Sequence, residues 1–554
     1  MYEMKYLALV VVLFTSTVCD ETKDLACNAV RKDSGFICVC NKTYCDTIER
    51  PRKLKLGQYH VYSTSNSMPG FNHFTSYFNF KNAPVEALKL KLDSNIKLQK
   101  IRGFGSSFTD SVGYSFNRLS RDVQNNFLKS HFSVEGIEYS LCRVVLGSSD
   151  FSSHEYTYVP EYDPSLSTFN LTDEDYTNKI WLITRANAMS ERKINLLGST
   201  WTAPPWMKTN KNFTTGYLKM EFEQAWADYH VKTLDAFKKE GVNFWGLTTG
   251  NEPVTLTTFR TRIPNLAMFP EQQRDWIGKN LGPSLKKHGY ANISLIVLDD
   301  QRKYAYWWMN TILNSVEARK YVNGIGIHWY MDAEASPLIM DQIHSKYPEQ
   351  EIIYTESSIN PAVSIASNDQ SKSDHRSRIS MKNNDNVWEE IHPKLGDWRR
   401  ATLYITSVME SLLHWTTGYI DWNLALDMTG GPTGMGFTCD APIIINYESD
   451  EFYKQPMFYA MGHFSKFLQP GSVIIDVQSE SSTSKFVIKE RKPAFRRPFV
   501  YSDVTYIAAL NPDETTTIIM FNPKNTSVAV SIDCGERGYA HVKLHAESLT
   551  SIIF

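Results

Sequence analysis

Between residues 98 and 430 the chain repeats one pattern eight times: a short apolar run, a polar or charged cluster, then a longer helix-like stretch. The runs fall at 98–104, 139–146, 194–199, 242–249, 293–298, 324–330, 351–355 and 417–424. Short continuous apolar runs with helices between them are buried parallel strands. Eight in succession fit a (β/α)8 TIM barrel better than an open doubly wound sheet. The fold class is therefore α/β, and reactive groups are expected in the polar clusters that end the runs.

Both flanks of the barrel read as β. Ala87-Leu88-Lys89-Leu90-Lys91-Leu92 alternates with period two, the mark of a strand with one wet face. Strand-like runs recur at 472–477, 504–510, 515–521 and 527–532, with Asn511-Pro512-Asp513 as a turn between two of them. These segments predict an associated β-sandwich completed by the N-terminal part folding back. The expected layout is a signal peptide at 1–19, a cysteine-rich segment at 20–50, and sandwich at 51–97. A barrel at 98–435 and sandwich at 436–554 follow. The stretch 359–390, rich in Ser, Asn, Asp, Lys and Arg, reads as a mobile loop.

Lys5 followed by the apolar run 6–14 and the small polar residues 15–17 has the form of a secretory signal, cleaved near Cys19 and Asp20. No later window is apolar for eighteen residues, so a soluble mature chain is expected. Cys27, Cys38, Cys40 and Cys45 crowd together, as two local disulfides do in an exported chain; zinc is the weaker alternative because no histidine lies among them. Cys142, Cys439 and Cys534 are scattered and expected to be mostly buried free thiols. Sequons at Asn41, Asn170, Asn212, Asn292 and Asn525 suit a glycoprotein. Fifty-eight basic and sixty acidic side chains leave a formal charge of −2, which lacks the positive field of a nucleic-acid binder.

The fourth run ends in Asn251-Glu252-Pro253 and the seventh in Thr355-Glu356-Ser357. On a barrel these two carboxylates face each other across the mouth. Opposed carboxyls are what a retaining glycosidase requires: one protonated to release the departing oxygen, one anionic to attack the anomeric carbon. Asn251 is placed to bind the sugar 2-hydroxyl, and His328 and Tyr330, ending the sixth run, to orient the nucleophile. Trp201, Trp206, Trp329 and Trp422 lie at or just after strand ends, where an indole face can stack on a pyranose. Asp299-Asp300 lacks a third clustered ligand, so salt bridges are expected there and no metal or cofactor.

The motifs Gly103-Phe104-Gly105, Asp150-Phe151-Ser152, Trp201-Thr202-Ala203-Pro204, Asn251-Glu252-Pro253, Leu298-Asp299-Asp300-Gln301-Arg302, His328-Trp329-Tyr330 and Asp421-Trp422-Asn423 occur in this order. The set resembles the lysosomal acid glucosylceramidase family of clan A glycosidases, from Cys27 to near the C-terminus. The resemblance implies retaining hydrolysis of the β-glucosidic bond to ceramide, with Glu252 as general acid/base and Glu356 as nucleophile. It implies that Asp150, Trp201, Asn251 and Trp422 hold glucose hydroxyls and that Arg143, His328 and Tyr330 line the site. It implies disulfides Cys27–Cys38 and Cys40–Cys45, a lysosomal location, and help from anionic lipid and a saposin-type activator at the membrane surface.

Three stretches depart from the family pattern. Thr433-Gly434 stands where the family has Asn-Trp, and an asparagine that helps bind glucose a few residues later is missing. Arg260, Arg262 and Ile263 replace aromatic and cysteine residues, and the segment from Glu356 to Trp398 is longer. Leaving-group preference is thereby open. Another β-glucoside, a steryl glucoside or a β-xyloside is the alternative substrate, and a non-catalytic glycan-binding role is the alternative class.

Overall fold

The computed structural model describes residues 24–80, 87–255, 262–359, 392–436, 438–479 and 503–554. The expected signal peptide and nearly all of the 359–390 stretch lie outside these residues. Eight parallel strands close into a barrel in sequential order: Gly103–Phe108, Leu141–Leu146, Asn195–Thr200, Gly246–Thr248, Ser294–Gln301, Val322–His328, Glu351–Glu356 and Thr416–Asn423. Seven of the eight fall on the runs read from the sequence. The first does not. Residues 98–100 end a sandwich strand, Leu88–Lys100, and the barrel begins only at Gly103. Two strands joined by Ile101-Arg102 alone read as one, and Gly103, at φ +150°, carries the turn between them.

Leu141, Leu197, Ile296, Ile353 and Ile420 fill the barrel interior, one from each of five strands. The helices cover its outside. Trp398–Leu413 is typical: Asp397 caps it by accepting from the Arg399 N–H at 3.0 Å, and Ala401, Tyr404, Ile405, Val408 and Leu412 form its buried stripe. Beneath the barrel, Glu138 is buried among Arg50, Arg192 and Lys466, the last 3.0 Å away.

A nine-stranded sheet contains Gln58–Ser65, Met68–Tyr77 and Leu88–Lys100 together with six strands from Val473 onward. It rolls into two layers, because Asn79 beyond one edge pairs with Tyr539 on the other. The N-terminal segment does complete the sandwich. Residues 443–454, expected there, do not join it. Strand Glu451–Lys454 pairs with the cysteine-rich hairpin, Phe452 opposite Cys40, and with Ile443–Asn446 on its other side, in a separate five-stranded sheet, and helix Pro456–Phe467 packs on the barrel. Apolar strand runs look alike on either sheet, so only long-range pairing assigns them. The five-stranded sheet matters for the site: Ile37, Val39, Ile444 and Tyr453 share an apolar cluster with Phe151, Trp201, Trp422 and Cys439 at the barrel rim.

Cys27 is bonded to Cys38 and Cys40 to Cys45, so these thiols are not zinc ligands. Cys142 and Cys439 are buried and unbonded, and Cys534 is half-buried. Among the sequons, Asn170, Asn212, Asn292 and Asn525 are exposed and Asn41 is half-buried. No helix among the described residues is long and apolar enough to cross a membrane.

Candidate active site

The nine residues expected at the site come from six strand ends and converge on one rim. Glu356 is the last residue of the seventh strand and His328 the last of the sixth. Arg143 rises from the second, Trp422 from the eighth, and Trp201 directly follows the third. Asn251 and Glu252 follow the fourth, where Glu252 is held at φ +45° by its N–H donating to the Asp299 carbonyl at 2.9 Å. A non-glycine residue in that region is strained, and strain of this kind persists where surrounding contacts impose it.

Glu252 and Glu356 are each 6% exposed. An oxygen of one lies within 4.8 Å of an oxygen of the other, and the His328 ring stands within the same span. Glu356 accepts on both oxygens, from Arg143 Nη1 at 2.5 Å and from the Tyr330 hydroxyl at 2.9 Å. Glu252 accepts twice on Oε1, from Gln301 Nε2 and from His328 Nδ1, each at 2.8 Å. Its Oε2 is left to carry a proton. Burial pushes the Glu252 carboxyl up to about 7, against the opposing pull of His328.

His328 departs from expectation. Its Nδ1 is 2.8 Å from Glu252 and 3.9 Å from Glu356, so it serves the acid/base and not the nucleophile. Its Nε2 lies 3.1 Å from Asp299. Burial opposes its charge, but Glu356, Asp299 and Glu252 outweigh burial and push it up to about 10. An imidazolium donates from both nitrogens, which matches the two carboxylates it meets.

Asp299 is the residue whose part the sequence reading placed too loosely. It is fully buried and receives Arg143 Nη2 at 2.6 Å, Ser199 Oγ at 2.8 Å and His328. Burial works against its charge, and Arg143 and His328 overcome that to hold its carboxyl far below the usual range. Leu298 and Asp299 both have positive φ where the register with the sixth strand slips, a bulge that turns Asp299 inward. Among the described residues Asp300 makes no ion pair; it accepts from the Val254 and Thr255 N–H groups and holds the loop behind Glu252. Gln301 was also missed, and its position at the end of a strand run was the available signal.

Arg143 lies under both indoles, 4.6 Å from the ring centre of Trp201 and 5.6 Å from that of Trp422. Its Nη2 donates to Asn251 Oδ1 at 2.7 Å, which leaves the Asn251 amide hydrogens for a ligand. Asp150, in the loop after the second strand, is pushed up to about 8 by burial and by Glu356 and Glu252, with Trp422 bonding its carboxyl. Trp206 and Trp329 stay outside the site. The Trp206 indole donates to the Val159 carbonyl and packs on Phe222; that of Trp329 donates to the Ser358 carbonyl and packs on Tyr404.

Among the described residues, Glu252, His328 and Glu356 have ligand atoms close enough for one cation. The donor set does not suit one: Arg143, Tyr330 and Gln301 occupy the carboxylates, and a charged His328 has no lone pair to offer.

Two carboxyls placed face to face, one held protonated and one bonded by an arginine, form a glycosidase arrangement. Residues 101–468 match the glycosyl hydrolase family 30 TIM-barrel domain and residues 471–552 the family's β-sandwich domain. The chain belongs to glycosyl hydrolase family 30. It is a glycoside hydrolase, and the match places helix Pro456–Phe467 with the barrel. The chain is 34% identical over 513 residues to the lysosomal acid glucosylceramidase of Mus musculus, covering 91% of each. It is 31% identical to putative glucosylceramidase 4 of Caenorhabditis elegans over 96% of each chain. The solved endo-β1,6-glucanase BT3312 shares its fold, with a TM-score of 0.73 at 23% identity, covering 89% of this chain and 99% of that one.

Proposed function

We propose that this family 30 enzyme hydrolyses glucosylceramide to glucose and ceramide with net retention, by double displacement. Glu356 attacks the anomeric carbon while Glu252 protonates the ceramide oxygen; a covalent glucosyl–Glu356 ester forms and the alcohol leaves. Glu252, now a base, takes a proton from water as that water attacks the ester, and glucose departs with both carboxyls restored. Asp150, Trp201, Asn251 and Trp422 hold the sugar hydroxyls, and Arg143, His328 and Tyr330 set the charges around them.

One observation carries the mechanism: carboxyl oxygens within 4.8 Å leave no room for the intervening water that inversion needs, whereas retention uses about 5–5.5 Å. The lipid aglycone rests on the long similarity to the mouse glucosylceramidase. A lysosomal site of action, with anionic lipid and a saposin-type activator as partners, belongs to the same reading.

The Thr433-Gly434 departure supports a second reading, another β-glycoside at the same site. The test is a panel of glucosylceramide, steryl glucoside, β-xyloside and β1,6-glucan, with the first-formed anomer of the sugar followed by NMR. β-Glucose from glucosylceramide at acidic pH supports the proposal. Inactivity on that lipid beside brisk cleavage of a xyloside overturns the substrate, and α-anomer overturns the mechanism.

A further inference from the structure

We propose that Thr433 is a positioning residue of the sugar site, latching the loop after the eighth strand onto the loop after the second and so fixing Asp150. The inference rests on the glycosidase reading above and concerns a residue that touches no reacting atom.

The Thr433 hydroxyl donates to the Asp150 carbonyl at 2.6 Å, and the Gly434 N–H donates to the Ser152 carbonyl at 2.8 Å. The first helix holds the same loop. The Ser111 N–H and hydroxyl both donate to the Phe151 carbonyl, and the hydroxyl also bonds the Pro432 carbonyl. Ser152 Oγ donates to Asp110 at 2.5 Å. The Asp150 loop is therefore bonded by two elements, the loop after the eighth strand at Asp150 and Ser152 and the first helix at Phe151 and Ser152.

The approach at Gly434 is too close for a side chain. A Cβ there would lie 2.0 Å from the Ser153 carbonyl oxygen and 2.5 Å from its carbon, both backbone atoms that cannot swing aside. A tryptophan at this position is incompatible with the latch, and the pair Thr433-Gly434 is what lets the loops touch. The buried Asp150 carboxyl stands near both catalytic carboxylates and is bonded by Trp422. A carboxyl group in that position reads sugar hydroxyls only when held in register, since hydrogen bonds weaken steeply with angle and distance.

The test compares Thr433→Val, which keeps shape and removes the donor, with Thr433→Ser, which keeps the donor. Gly434→Ala separates the loops by contact alone. On an aryl β-glucoside, Thr433→Val and Gly434→Ala are expected to raise KM by up to about tenfold, the share of one hydrogen bond, with kcat within about twofold. Thr433→Ser is expected to match the wild type. Unchanged KM in Thr433→Val, or the same loss in Thr433→Ser, overturns the proposal. If the wild type cleaved no aryl glycoside, the glycosidase reading would fail by itself. The latch would still be judged by calorimetry with a glucose-shaped iminosugar: weaker binding by Thr433→Val than by Thr433→Ser supports it, and equal binding refutes it.

Discussion

His328 and Glu252 share a hydrogen bond of 2.8 Å, and the same imidazole reaches Asp299 with its other nitrogen at 3.1 Å. The pair lies between the two halves of the site. On one side Asp299 and Arg143 lead to Glu356; on the other Gln301 and His328 lead to Glu252. A buried, charged network of this kind holds two carboxyls of opposite task at fixed separation.

The proton on Glu252 sets the alkaline side of the pH profile. Its carboxyl is raised to about 7 by burial, so the acid form dominates below that pH and is lost as pH rises through it. Turnover is expected to fall tenfold per unit above about pH 7. A kcat/KM profile on an aryl β-glucoside checks this, and a plateau continuing to pH 9 counts against Glu252 as the acid.

Glu252→Gln cannot protonate a leaving group. Its glycosylation step is expected to slow about 10²–10⁴-fold on glycosides of poorly acidic alcohols. With a dinitrophenyl glucoside, whose leaving group needs no proton, that step is expected to remain near normal. Pre-steady-state bursts on the two substrates measure the contrast; equal losses on both would assign the acid elsewhere.

Tyr330 donates to Glu356 at 2.9 Å. Tyr330→Phe removes one of its two side-chain donors with little change of shape, and about a tenfold loss of kcat is expected. Titration with a mechanism-based cyclitol epoxide should still label Glu356, only more slowly. An unaltered labelling rate would show that the tyrosine does not orient the nucleophile.

Stability depends on a different carboxylate. Burial works against the charge of Glu138, but Lys466, Arg50 and Arg192 outweigh it and lower its pKa. Its ion pairs therefore stabilise the fold above the ordinary carboxylate range and weaken as pH falls through the lowered value. Glu138→Ala leaves Arg192 and Lys466 buried without their partner and is expected to cost about 3–5 kcal/mol. Denaturant unfolding reads this directly, with kcat of the folded fraction retained because Glu138 precedes the second strand at the rim opposite the site.

Local pattern was enough for seven of the eight barrel strands, because each is a buried apolar run bounded by polar residues. The same rule placed Glu252 and Glu356, since a strand end in a barrel is a fixed address. It failed at 98–104, where Leu88–Lys100 and Gly103–Phe108 nearly touch in sequence. It failed for His328 as well: a histidine between three carboxylates has several partners within reach, and sequence does not rank them. Trp206 and Trp329 stand at strand ends like Trp201 and Trp422, yet their indoles turn to backbone carbonyls outside the site.

The order and chemistry of residues determined that this chain closes a (β/α)8 barrel and sets two glutamates at its mouth, because strand period and strand end are local properties. Only the tertiary structure decided what surrounds those glutamates. The bulge that turns Asp299 inward, the choice of His328 for Glu252, and the grip of Thr433 on Asp150 each join residues about 30 to 280 positions apart. Such contacts depend on how strands slip and loops meet in space, and no local pattern encodes a distance of a few ångströms between them.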